Sequence, residues 1–236
     1  MENNLAHKTN ENLSDNNFCQ LEPLVMLPYY DQDGITIYNG DAELVIDSFT
    51  PKQFDLCLTD LPYGVNIDYD GYDDSQQNLA SLIEKIMPKL LNVSDRALIT
   101  CGVINIRYYP QYDWALSFYN KAGAGSGKWG FTTWQPILAY GKDPYLTNRM
   151  GRRSDTIEFS EASEINGHPC PKPLTAWKKV LLRGSVSTTD VILDPFMGSG
   201  TTLLAAKQLG RKAVGIEQSQ RYCDIAIKRL AQMELF

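Results

Sequence analysis

The chain has 236 residues, of which 43% are apolar, and a formal charge of −6. That length supports one core with at most a modest insertion, and the acidic balance excludes a protein that coats nucleic acid through net charge alone. No leader-like segment and no long apolar run is visible, so a soluble cytoplasmic protein is expected and a membrane partner is not.

Residues 1–23 are rich in Asn, Glu and Ser and poor in large apolar groups, the composition of a flexible tail, which leaves residues 24–236 as the folded domain. A turn at Asp31-Gln32-Asp33-Gly34 leads into a strand at residues 35–38, and residues 42–48 read as a short helix. Residues 54–59 form the next strand. Leu79, Leu82, Ile83, Ile86, Leu90 and Leu91 then recur at helical spacing, with Pro88 placed to end or kink that helix. Another strand covers residues 96–101. Residues 105–167 are less periodic and contain Gly123-Ala124-Gly125-Ser126-Gly127, read as a mobile loop. A helix follows at residues 173–183, with Pro173 suited to its first turn, then strands at 191–193 and 213–216. The last helix carries Tyr222, Ile225, Ala226, Arg229 and Leu230 along one stripe. Strands alternating with helices predict an α/β fold with a mainly parallel sheet flanked by helices.

Five cysteines, at 19, 57, 101, 170 and 223, show no Cys-x-x-Cys spacing, and His7 and His168 are the only histidines, so no metal site is predicted.

The densest signal is Asp194-Pro195-Phe196-Met197-Gly198-Ser199-Gly200-Thr201-Thr202, between a strand and a helix. Glycine carries no Cβ, so backbone in such a turn can approach a ligand closely. The turn ends Gly-Thr-Thr without the lysine of a phosphate-cradling loop, and it lacks the third glycine of a dinucleotide fingerprint. A ligand with an adenosine and no phosphate remains. A second signal, Asp60-Leu61-Pro62-Tyr63, closes the strand at 54–59, whereas Asp143-Pro144-Tyr145 lacks that spacing.

The two motifs together resemble the permuted, β-class DNA amino-methyltransferases that use S-adenosylmethionine. In this chain the Asp60 motif precedes the glycine motif, which is the order of that class. The resemblance spans about Ile35 to Leu230 and implies a Rossmann-like methyltransferase fold, with helices on both sheet faces and a small target-recognition insertion at residues 105–167. It implies that Asp60 accepts one N–H of the target amine, that the Leu61 carbonyl beside Pro62 accepts the other, and that Tyr63 stacks on the base once it leaves the duplex. Asp60, where other members have serine, favours adenine N6. Leu61, where proline is commoner, keeps cytosine N4 as the alternative, and a catalytically silent DNA-binding relative is a third reading.

For S-adenosylmethionine, the implied contacts are Gly198, Ser199 and Gly200 to the methionine portion, Asp194 and Thr201 to its charged ends, and Glu217 to both ribose hydroxyls. His168-Pro169-Cys170-Pro171-Lys172-Pro173 resembles the family's His-Pro-x-x-Lys-Pro segment, which closes the methionine pocket. Its Pro171 replaces a polar residue. Asp41 has two readings, an acceptor for the adenine amine or an N-cap for the helix at 42. Phe196 either packs on the adenosine or fills the core.

The DNA substrate leaves a charge signal. From Cys101 to Arg183 there are eleven Lys/Arg against six Asp/Glu. Arg149, Arg152 and Arg153 are the expected DNA-binding residues, on an insertion overhanging the active-site mouth, with a solvated loop as the alternative. Tyr108, Tyr109, Trp114 and Trp129 are nearby, most of them expected in the core. A homodimer and a restriction endonuclease partner are compatible with the family, and no motif encodes either.

Overall fold

The computed structural model describes residues 27–123 and 125–232. The tail expected at 1–23, with His7 and Cys19, lies outside them.

A nine-stranded sheet organises the molecule. Its strands are β1 (Tyr30–Gln32), β2 (Ile35–Asn39), β3 (Leu56–Asp60), β6 (Ala97–Thr100), β7 (Trp114–Asn120), β10 (Trp134–Tyr140), β11 (Thr156–Phe159), β12 (Val191–Asp194) and β13 (Lys212–Glu217). Two short hairpins stand apart from it, β4 (Asp68–Tyr69) with β5 (Tyr72–Asp73), and β8 (Gly125–Gly127) with β9 (Gly130–Thr132). The helices are α1 (Ala42–Ile46), α2 (Gln76–Val93), α3 (Pro144–Thr147), α4 (Leu174–Gly184), α5 (Thr201–Gln208) and α6 (Gln220–Gln232), and a 3₁₀ turn spans Val103–Tyr108.

The strand order is β1-β2-β13-β12-β3-β6-β10-β7-β11. From β2 to β6 the pairs are parallel, and β10 runs antiparallel to both β6 and β7. Two cores cover the two faces, and the period of two along each strand assigns residues to them. Leu56, Leu58, Leu98 and Ile192 face α4, α5 and α6, where Trp177 is fully enclosed. Cys57, Ala97, Ile99 and Leu193 face α1 and α2.

The strands and helices expected from the sequence are all present between residues 35 and 232, with three differences. Pro88 does not end α2, which continues to Val93. The carbonyl that loses its donor belongs to Glu84, and Glu84 and Pro88 are both exposed, so water can serve it. Pro173 is the N-cap of α4 rather than a first-turn residue. The segment 105–167 is not a separate insertion, because it supplies β7, β10 and β11 to the main sheet. Within it, Gly125–Gly127 of the expected loop pair with Gly130–Thr132 in the β8–β9 hairpin.

The strand order reverses between β12 and β3. Chain from β3 leaves toward β6 and chain from β12 toward β13, which opens a crevice at the carboxyl ends of these two neighbours, where open α/β sheets bind ligands. Asp60 and Asp194 are the last residues of those strands.

Candidate active site

A cavity of about 230 Å³ occupies this crevice. Asp41, Asp60, Pro62, His168, Lys172, Asp194, Phe196, Gly198, Ser199, Thr201 and Glu217 all line it, so residues up to 176 positions apart in sequence converge on one site.

The glycine turn is fixed from below. Asp194 is buried and accepts from Thr59 Oγ1 at 2.7 Å, from the Thr202 hydroxyl and from the Phe196 backbone N–H. Burial pushes its carboxyl up to about 7 against those three hydrogen bonds, which favour the charged form. Gly198 has φ +51°, and a Cβ there would stand 2.7 Å from His168 Nε2. Gly200 has φ +79°, and a Cβ there would stand 2.7 Å from Ala226 Cβ on α6. Gly200 is not among the residues lining the cavity, and its missing side chain makes room for α6.

Glu217 ends β13. Its carboxylate accepts from Gly198 N–H at 3.0 Å and from Ser219 N–H at 2.8 Å, and burial raises its carboxyl against these bonds. Asn39 Nδ2 donates to the Glu217 and Gln218 carbonyls and holds this strand end in place. Both readings of Asp41 have structural support: its side chain caps α1 through Glu43 N–H at 2.7 Å, and it lines the cavity. Phe196 is half-buried, packing on the α1–α2 core while it lines the cavity.

His168 Nδ1 accepts from Cys170 N–H at 3.2 Å, which places the proton of the neutral ring on Nε2, facing Gly198. Burial holds this histidine down at about 4, although the Asp60 carboxylate pulls the other way.

Lys172 lines the cavity and at the same time bonds to the Asp60 motif. Its Nζ lies 2.7 Å from Asp60 Oδ2 and 2.5 Å from the Tyr63 hydroxyl, and 5.0 Å from the Tyr63 ring centroid. Asp60 Oδ1 accepts from the Tyr63 and Thr100 hydroxyls. Tyr63 is only 7% exposed, so its ring offers no free face to a base in this conformation. Leu61 buries its side chain in the α1–α2 core, and neither Leu61 nor Tyr63 lines the cavity.

Three residues that sequence reasoning did not single out hold the site together. Asn105, fully buried, donates through Nδ2 to the Tyr63 carbonyl. Asp74, also buried, accepts from the N–H groups of Gly64, Val65 and Ile67 and fixes the loop after Tyr63. Arg229 donates to the Ser199 carbonyl at 2.6 Å and to Thr201 Oγ1 at 3.2 Å, while pairing with Glu164 at 2.7 Å. Only Arg229 left a sequence signal, as a charge on the apolar stripe of the last helix.

The arginines lie elsewhere. Arg152 and Arg153 line a second cavity, of about 660 Å³, with Ala97, Tyr140, Trp114 and Gly184. Ala97 begins β6 and Tyr140 ends the antiparallel β10, so this cavity is at the opposite edge of the sheet from Asp60. Arg153 stacks on Tyr145 at 4.8 Å, and Arg149 ends the turn after α3 in the same segment. The expectation that Arg149, Arg152 and Arg153 overhang the active-site mouth is therefore not met. Of the aromatics expected in the core, Tyr109 is buried, whereas Trp114 and Trp129 are exposed.

A family model described as a DNA methylase matches residues 126–228. The type II methyltransferase M2.LlaDCHI of Lactococcus lactis subsp. cremoris is 49% identical over 253 aligned residues, covering 88% of this chain and 93% of that protein. The type II methyltransferase M.ScaI of Streptomyces caespitosus is 27% identical, covering 92% of this chain and 88% of its own length. Among solved structures, the PvuII cytosine-N4-specific DNA methyltransferase superposes with a TM-score of 0.69 at 15% identity, covering 86% of this chain and 88% of that one, a likeness of fold.

Proposed function

Because this chain belongs to the type II DNA amino-methyltransferases, we propose that it transfers the methyl group of S-adenosylmethionine to the N6 amine of an adenine extruded from DNA and held at Asp60. The observation that carries the reading is that the Asp60 carboxylate opens into the same cavity as the glycine turn and Glu217.

These residues fit an adenosine with a short charged tail. Glu217 presents a carboxylate for ribose hydroxyls, Asp41 an acceptor for an exocyclic amine and Phe196 an apolar face, while Gly198 keeps backbone near the ligand. Bound S-adenosylmethionine supplies an electrophilic methyl group on a sulfonium. The protein's task is then orientation. An exocyclic amine is a poor nucleophile because its lone pair is delocalised into the ring, so acceptors that hold both N–H bonds and aim the lone pair provide the rate. Asp60 takes one N–H and the Leu61 carbonyl the other. All three partners now on Asp60 are donors, so an incoming amine replaces one of them. Tyr63 is the partner to leave, because its release both opens one acceptor position on Oδ1, where the Thr100 hydroxyl remains, and turns its ring out to stack on the base. The adenine reading follows the family resemblance, in which Asp60 stands where other members have serine.

Mass spectrometry of digested DNA from cells expressing the protein tests the reading. N6-methyladenine is the expected product, and N4-methylcytosine alone would reverse the base assignment. Glu217→Ala should weaken S-adenosylmethionine binding in calorimetry by about 1.5–3 kcal/mol, the contribution of hydrogen bonds to a charged group. An unchanged dissociation constant would remove Glu217 from the ribose site.

A further inference from the structure

The β8–β9 hairpin leaves the sheet at the catalytic edge. Ile137 of β10 pairs with Thr100, and Thr100 pairs with Asp60, so Trp134 and the residues before it extend beyond the carboxyl ends of β3 and β6. Two strand spacings separate β10 from β3, roughly 10 Å sideways. The ribbon pairs Gly125 with Thr132, Ser126 with Phe131 and Gly127 with Gly130, which leaves Lys128 and Trp129 as its two-residue tip. Trp129 is fully exposed and Phe131 is 87% exposed, and neither joins a core cluster.

Two large aromatics held in water on a hydrogen-bonded ribbon, beside the candidate catalytic crevice, mark a contact surface. The charge there selects its partner. Residues 120–140 hold Lys121 and Lys128 and no acidic residue, in a chain of net charge −6. Lys121 is paired with Glu158, whereas Lys128 forms no ion pair among the described residues. A two-stranded ribbon is also one of the shapes that the DNA major groove admits.

We propose that the β8–β9 ribbon enters the DNA groove beside the target nucleotide, where Lys128 meets a phosphate and Trp129 stacks on a base flanking the extruded one. This rests on the DNA methyltransferase reading and adds the element that grips the strand. Base extrusion removes a stacking partner from each neighbouring base, and an indole at the ribbon tip replaces it.

Trp129→Ala and Lys128→Ala test the assignment, with the wild type and Arg152→Ala/Arg153→Ala beside them. Each is measured for DNA affinity, for the fluorescence rise of 2-aminopurine at the target position, for S-adenosylmethionine affinity and for sedimentation. Trp129→Ala should weaken DNA binding about tenfold and diminish the fluorescence rise, with cofactor affinity unchanged. Lys128→Ala should lower the slope of log affinity against log salt by about one, while the double arginine variant leaves it unchanged. Wild-type DNA affinity and fluorescence in Trp129→Ala would overturn the proposal. So would a loss that coincides with dissociation of a dimer, which would make the tip an interface between copies of this chain. Failure of the underlying reading looks different: the wild type itself would leave no methylated base in DNA.

Discussion

Asp60→Ala should abolish methyl transfer while S-adenosylmethionine affinity stays within a few fold. In the proposed mechanism the carboxylate is the acceptor for the target amine, and removing a preorganised group of this kind costs on the order of 10²–10³ in rate even where others remain. Here the remaining acceptor is one backbone carbonyl, so turnover should fall to the background of the assay. Cofactor binding survives because the glycine turn is fixed by Asp194, Arg229 and Glu217, none of which bonds to Asp60. The alanine variant also strips Lys172 of its partner at 2.7 Å, with only 11% of the lysine side chain exposed, and a buried ammonium left so is destabilising. Asp60→Asn guards against that ambiguity, since it keeps the volume and one acceptor oxygen. Methyl incorporation from labelled cofactor and calorimetry of cofactor binding give the two readouts. Retained turnover in folded Asp60→Ala would show that the tetrapeptide is not catalytic, whereas Asp60→Asn, which keeps an acceptor for the amine, should retain part of the activity.

The parts of this architecture that depend on local pattern were readable. The apolar runs of β3, β6 and β12 are buried on both faces, and the spacing of Leu79, Ile83, Ile86 and Leu90 follows the buried side of α2. The glycine turn and Asp60 are local motifs as well, each at the end of its strand. What escaped was set by strand direction and strand order. β10 runs antiparallel, so it returns the chain to the edge away from Asp60, and Arg149, Arg152 and Arg153 follow it there. In a segment with weak periodicity that reversal cannot be counted. The pairing of Lys172 with Asp60 joins residues 112 positions apart and exists because α4 follows a loop that crosses the crevice; no spacing rule encodes it. Asn105 and Asp74 are polar residues whose value lies in the backbone groups they satisfy, N–H groups of one loop and a carbonyl of the catalytic motif. At Gly200 the structure adds a reason for glycine that the sequence does not carry, a backbone at φ +79° and the Ala226 side chain on α6.

Gly198→Val should abolish S-adenosylmethionine binding in calorimetry. At Gly198 the two demands on a glycine coincide. The backbone has φ +51°, a region costly for a β-branched side chain, and a Cβ would stand 2.7 Å from His168 Nε2. His168 cannot yield freely, because its Nδ1 bonds Cys170 N–H and its ring packs edge-on against Tyr222 at 4.8 Å. A valine therefore pushes apart the glycine turn and the His168–Lys172 segment, the two walls of the cavity. The Gly198 N–H would also be drawn from Glu217, so the carboxylate expected to hold the ribose loses one of the two bonds that aim it. The turn is at one end of the sheet and gives only Met197 and, in part, Phe196 to the two cores on its faces, so circular dichroism should still report a folded chain. Gly198→Ala grades the effect: its Cβ meets the same imidazole without the branch, so an affinity between wild type and valine is expected. Wild-type affinity in folded Gly198→Val would place the cofactor outside this cavity.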